Sequence, residues 1–271
     1  MKLLLLGGTA DGRKLAAQLH EQGIEVIYSV AGLVRKPQLD CQVICGGFSQ
    51  RGGLGNYLQQ EQITAVLDVT HPYAQQMSST AQSVCATLNL PYWRFHRPAW
   101  QVEAGDDWRG YSDNVELIKL LKLALVTAQQ ANFDPEIEQS ILFSIGQLDA
   151  ELLQLLADLV MQVAALGIKL NLIVRTAAVP KIPLLADMTW LKAIGPFHFD
   201  DEFELLKQHK ITVMVSKNSG GDSTYPKLVA ARRLQIPVFM QTRPTLADIA
   251  TEFDELSCCA EFVGSFAKQH N

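Results

Sequence analysis

Short apolar runs alternate with helical patterns along most of the chain, and this alternation limits the fold more than any other feature. The strand candidates in the first third are Lys2–Leu6, Glu25–Val30, Val43–Cys45, Ala65–Val69 and Tyr92–Phe95. Helical patterns run between them through Leu15 and Leu19, Leu54 and Leu58, and Gln75–Leu88. Strands that alternate with helices over short connections pair in parallel through right-handed crossovers, so an α/β doubly wound sheet is expected. The polar stretch RPAWQVEAGDDWRGYSD has neither helical nor strand periodicity and marks a domain boundary near Arg97–Ala99. A second α/β unit follows, with strand candidates Ile141–Ile145, Leu170–Thr176, Leu191–Ile194, Ile211–Ser216 and Val238–Gln241. The expected organisation is therefore two Rossmann-like domains, residues 1–98 and 99–271, with mainly parallel sheets and a cleft between them. Near the end, TLADIATEFDEL reads as a helix capped by Thr245.

With 271 residues, 48% of them apolar, the chain can bury a large core. Its net charge of -5 and its lack of a basic block exclude a general nucleic-acid binder. The leucines of MKLLLL give way to GGTADGR too soon for a secretory h-region, and no run approaches the ~18 apolar residues of a membrane span. The five cysteines lack metal-ligand spacing, so no metal site is expected and they read as reduced thiols of a cytoplasmic protein. A monomer is compatible with this composition.

The first strand breaks into GGTADG and resumes as a helix. A helix N-terminus offers unpaired N–H groups and partial positive charge, which suit a pyrophosphate where side chains do not obstruct it. Gly7 and Gly8 supply that access, and Thr9 is placed both to cap the helix and to offer its hydroxyl to a phosphate. By itself the motif fits a dinucleotide turn or a plain strand-to-helix corner equally well.

Units that bind NAD usually carry an acid about 20 residues past the glycines. Here the second strand ends in Ser29, with Arg35 and Lys36 behind it, which favours NADPH over NADH unless these cations are ordinary surface charges. Gly46 and Gly47 follow the third strand and allow a cofactor close to the backbone. DVTHPYA follows the fourth, placing Asp68, Thr70 and His71 at one strand tip, with Pro72 starting a helix.

The densest polar cluster is SKNSGGDSTYPKLVAARR, where a strand runs into Lys217, Asn218, Ser219, Gly220 and Gly221 before a helix that carries Lys227 and Arg232. So many donors suit a carboxylate or phosphate. A nucleotide in one domain and an anion in the other is the layout of a dehydrogenase or reductase.

Seven blocks, LLLLGGTADGRKLA, SVAG, GGF, DVTHPYA, RPAW, IGPF and SKNSGGDSTYPKLVAARRLQIPV, together resemble the precorrin-6A reductase family, including its cobalt-precorrin branch. They stand in order over most of the chain except about residues 101–190. The resemblance implies an NADPH- or NADH-dependent reductase that delivers hydride to a macrocyclic polycarboxylate in cobalamin biosynthesis. Together with the reading of the loops above, it leads to an expected division of roles. Gly7, Gly8, Thr9, Ser29, Arg35, Gly46, Gly47 and Thr70 would hold the cofactor. Lys217, Ser219, Asp68 and His71 would serve the chemistry, and Arg175, Asn218, Gly220, Gly221, Lys227 and Arg232 the substrate. A non-catalytic NADPH sensor is the alternative from another class. The Tyr-x-x-x-Lys pair of short-chain reductases is absent.

Overall fold

The computed structural model describes residues 1–32, 38–132 and 138–270. It divides into two compact units, Met1–Pro98 together with Pro244–Asn271, and Ala99–Arg243.

The first unit opens with β1 (Lys2–Leu6), α1 (Ala10–Glu21), β2 (Glu25–Val30), β3 (Gln42–Cys45), α2 (Leu54–Gln60), β4 (Ala65–Asp68), α3 (Gln75–Leu88) and β5 (Tyr92–Phe95). The two-residue period of a strand divides the leucines of β1 between two cores. Leu3 and Leu5 pack with Leu15, Leu19 and Tyr28, while Leu4 and Leu6 pack with Ile27, Leu58 and Val66. With both faces covered, the strand has no position for a polar side chain.

The second unit comprises β6 (Trp108–Tyr111), α4 (Asn114–Asn132), β7 (Glu138–Ser144), α5 (Ala150–Ala164), β8 (Lys169–Thr176), β9 (Met188–Lys192), α6 (Phe199–Gln208), β10 (Val213–Lys217), α7 (Pro226–Arg233) and β11 (Val238–Gln241). Its six strands lie in the order β6-β11-β10-β7-β8-β9, every described pairing parallel. Strand β6 falls inside the polar stretch that read as structureless. It forms because its backbone pairs with β11 at the sheet edge, Trp108 against Val238, without needing an apolar run of its own.

The chain then returns to the first unit. β12 (Glu252–Phe253) pairs in parallel with β5, completing a six-stranded sheet in the order β12-β5-β4-β1-β2-β3. α8 (Leu256–Gln269) follows. Its Cys259, Ala260 and Val263 join Leu15 and Leu19 in one core, and Trp93 meets Phe262 and Phe266 edge-on at 5.5 and 4.9 Å. The sequence reading kept residues 244–271 in the second unit and drew a helix from Thr245. The structure differs on both points. Side chains of the first unit take the backbone carbonyls that such a helix would need. Gln75 Nε2 donates to Thr245 O at 2.9 Å, Arg94 Nη2 to Ala247 O at 3.0 Å and Gln82 Nε2 to Asp248 O at 3.0 Å. Arg94 also forms an ion pair with Glu252.

Among the described residues no helix is long and apolar enough to cross a membrane, and no cluster of His, Cys, Asp and Glu has the makings of a metal site. The five cysteines are free thiols.

Trp93, 4% exposed, is the anchor for the returning helix. Trp93→Ala is expected to cost about 3–5 kcal/mol of stability, read as a lowered denaturation midpoint of the first unit.

Candidate functional site

In the first sheet the chain winds outward in both directions from β1, to β2 and β3 on one side and to β4 and β5 on the other. Ligands of open α/β sheets collect beyond the strand C-terminal ends at such a reversal. The β1-to-α1 corner stands there. Thr9 caps α1, its hydroxyl accepting from Gly12 N at 3.0 Å and donating to Val69 O at 3.0 Å. Its single proton is thereby spent within the fold, and the residue is 5% exposed. The phosphate contact expected of the Thr9 hydroxyl is therefore replaced by a structural bond that ties the corner to the end of β4.

The three glycines of the motif have distinct jobs. A Cβ on Gly7 would lie 2.2 Å from the Tyr28 ring, so only glycine lets the backbone press on that ring. Gly8 has a φ of +113° and open space where a Cβ would project. Its N–H donates to the Tyr28 hydroxyl at 2.9 Å, and burial raises the pKa of that phenol. Gly12 packs beside Thr9 and Gly7.

Beyond this corner lies a cavity of about 200 Å³. Gly7, Gly8, Ser29, Gly46, Gly47, Thr70 and His71 line it, with Leu6, Ala31, Phe48, Ala74 and Met77 as apolar walls. Sequence reasoning had named the first seven of these separately, at the ends of four different strands. Arg35 lies outside the described residues.

Asp68 does not line the cavity. It is 1% exposed, its Oδ1 accepting from Thr70 N at 3.0 Å and its Oδ2 from the Tyr92 hydroxyl at 2.8 Å. It shapes the strand tip that carries Thr70 and His71, with both oxygens engaged in the fold, where tuning of the histidine or orientation of the nicotinamide amide had been expected. Burial and the charge of Asp68 both push the Tyr92 phenol up. His71 Nδ1 accepts from Tyr73 N at 3.4 Å. The helix expected to start at Pro72 starts at Gln75, because the chain first turns through a bond from Ala74 N to His71 O.

In the second sheet the winding reverses between β7 and β10, where Ser144 and Ser216 are register partners. Lys217 ends β10, and burial lowers its pKa against the opposing charge of Asp149. Ser219 N donates to Lys217 O at 2.9 Å, and Gly220 and Gly221 turn the chain at φ of +68° and +73°. Asn218 clamps the Trp100 backbone, accepting from its N at 2.8 Å and donating to its O at 3.0 Å. That use of both amide atoms was not visible in the sequence.

The three cations expected to grip substrate behave differently. Arg175 is 4% exposed, paired with buried Glu202 and lying 4.5 Å from the centre of the Phe197 ring. Lys227, 3% exposed, points its Nζ at Ser144, 3.3 Å from Oγ and 3.5 Å from O. Burial, assisted by the charge of Arg175 and opposed by that of Glu202, lowers its pKa to about 7. Arg232 lies about 7.5 Å further along the α7 axis than Lys227. Asp106, just before β6, holds it there at 2.8 Å, with Glu103 also at 2.8 Å. Arg175 and Lys227 are thus brought together but buried, and Arg232 stands apart from both. Sequence reasoning missed Ser144, where both buried cations converge.

With both strand-end sites in view, the chain can be set beside known proteins. The family model described as precorrin-6x reductase CbiJ/CobK matches residues 2–263. The chain belongs to this family. A precorrin-6A reductase of Rhodococcus erythropolis is 33% identical over 270 residues, covering 99% of each chain. That of Rhodobacter capsulatus is 33% identical over 247 residues, covering 90% of this chain and 89% of its own. A solved structure of CobK precorrin-6A reductase superposes with a TM-score of 0.78 at 31% identity, covering 98% of this chain and 96% of that one. For the precorrin-6x reductase fold, this likeness covers both sheets and the returning C-terminal segment.

The buried Lys227 makes stability depend on pH. From about 7 to its ordinary 10.5 the native amine holds less proton than the unfolded one, so native stability rises with pH and the penalty is full below 7. Relative to Lys227→Met, wild-type stability should climb across that window by at most about 1.4 kcal/mol per pH unit, as measured by denaturant titration at a series of pH values.

Proposed function

We propose that this family member reduces precorrin-6A, or its cobalt form, with NADPH, the first unit holding the nucleotide and the second the macrocycle. The observation that carries the reading is the glycine-walled cavity at the reversal of the first sheet, which has no carboxylate at the end of β2. A dinucleotide fits these residues. Gly8 leaves open space where any other residue would project a Cβ, and Gly46 turns the backbone after β3 at φ of +97°, where a Cβ would touch Gln50 Oε1 at 3.5 Å. Ser29 and Ala31 stand where NAD-selective units place an acid, which leaves room for a 2'-phosphate.

A reduced nicotinamide, when bound, supplies the hydride to the carbon of a ring carbon–nitrogen double bond. The chain must orient the reactants and deliver one proton to the other end of that bond. Thr70 and His71 present polar groups to the cavity, held in place by the turn that Asp68 fixes. Lys217 is the proton source we favour, because burial makes its ammonium more acidic, and Ser219 beside it is the relay. The same ammonium attracts the carboxylates of the macrocycle rim. The relatives named above are all reductases, which gives no support to a non-catalytic sensor.

The test is anaerobic turnover of precorrin-6A, followed by loss of the reduced-nicotinamide absorbance. Wild-type protein should consume NADPH, and no consumption of either NADPH or NADH overturns the reading. Lys217→Ala should lower kcat and raise the macrocycle KM roughly tenfold or more while NADPH affinity holds. Ser29→Asp sets a carboxylate against the 2'-phosphate and should cut kcat/KM for NADPH by at least about tenfold, with NADH much less affected.

A further inference from the structure

The cluster behind Ser144 leaves that hydroxyl in an unusual electronic position. A serine hydroxyl has one proton to donate and two lone pairs. Arg175 Nη2 donates to Ser144 Oγ at 3.0 Å and Lys227 Nζ at 3.3 Å, so both lone pairs are taken. A guanidinium and an ammonium have no acceptor to offer in return. Among the described residues the Ser144 proton has no acceptor in the fold. The two donors are buried, whereas Ser144 is partly exposed at the end of β7, beside β10 at the reversal of the second sheet. The next loop keeps the approach clear, since Gly146 sits at φ of +85° with nothing within 4 Å of a Cβ.

We infer that Ser144 is a binding residue whose outward O–H grips a peripheral carboxylate of the macrocycle, with Arg175 and Lys227 as positioning residues that polarise it from behind. The inference rests on the substrate reading above and adds to it the residue that makes the contact. Charge supports it. Two cations face one carboxylate, Glu202, and its Oε2 is buried without a partner in the fold. The cluster therefore carries one uncompensated positive charge when Lys227 is protonated. A carboxylate received by Ser144 would balance that charge without entering the buried layer. Donation through a hydroxyl also fixes direction, which a mobile ammonium does not.

The experiment measures the dissociation constant of precorrin-6A without pyridine nucleotide, by quenching of tryptophan fluorescence, for wild type, Ser144→Ala and Ser144→Thr. Loss of one hydrogen bond to a charged group should weaken Ser144→Ala roughly 10- to 100-fold. Ser144→Thr keeps the hydroxyl and should bind like wild type. NADPH affinity should be the same in all three proteins. Should Ser144→Ala fail to fold, Ser144→Cys, with its weak S–H donor, takes its place with the same expected direction. Unchanged affinity in the donor-less variant overturns the inference and leaves the substrate reading intact. Equal weakening in Ser144→Ala and Ser144→Thr also overturns it, because the site would then be sensing packing. Wild-type protein that does not bind precorrin-6A overturns the substrate reading itself.

Discussion

Burial of every central strand on both faces is the constraint from which the rest of this molecule follows. A strand covered on both sides keeps its polar groups only at its ends, and parallel strands point all their C-terminal ends the same way. Chemistry in each unit is therefore confined to one rim of one sheet. In the first unit that rim holds Gly7, Gly8, Ser29, Thr70 and His71. In the second it holds Ser144, Lys217 and the turn through Gly220 and Gly221. The same topological device, a reversal of winding at the strand C-terminal ends, thus occurs once in each unit.

At both rims the residues with the most conspicuous chemistry serve the scaffold. Thr9 has both its proton and an acceptor position committed to backbone groups, and Asp68 has both oxygens engaged. Arg175 and Lys227 stand one layer behind the surface. What lines the rims is glycine backbone, small hydroxyls, an imidazole and the Lys217 ammonium. Thr70 is braced in this way by Asp68, Gly8 by Tyr28, and Ser144 by Arg175 and Lys227.

The alternation of elements was legible because long apolar runs such as Leu3–Leu6 admit no other placement than a covered strand. The glycine corner was legible because positions like Gly8 need a backbone conformation that few residues adopt. Other features lay beyond the sequence for equally physical reasons. The helix drawn from Thr245 has plausible periodicity, but Gln75, Gln82 and Arg94, far away in the chain, take its carbonyls. Arg175 and Lys227 looked like surface clamps because their partners, Glu202 and Ser144, sit in segments with no motif. Ser144 itself reads as the end of an ordinary strand, FSIG. The signal available was a hydroxyl at the last strand position before a glycine, which gains meaning only once the strand order puts it at the reversal.

The late pairing of β12 with β5 has a consequence for how the chain matures. Arg94 and Glu252 are 158 residues apart, and the whole second unit is encoded between them. On a ribosome, which delivers the N-terminus first, the intervening unit is synthesised in full before the partner of β5 emerges. Until then the β5 edge is an open hydrogen-bonding template, and the α1 surface that α8 later covers is bare hydrophobe. Nascent first units are thus exposed to pairing with one another until β12 and α8 emerge to cover these surfaces.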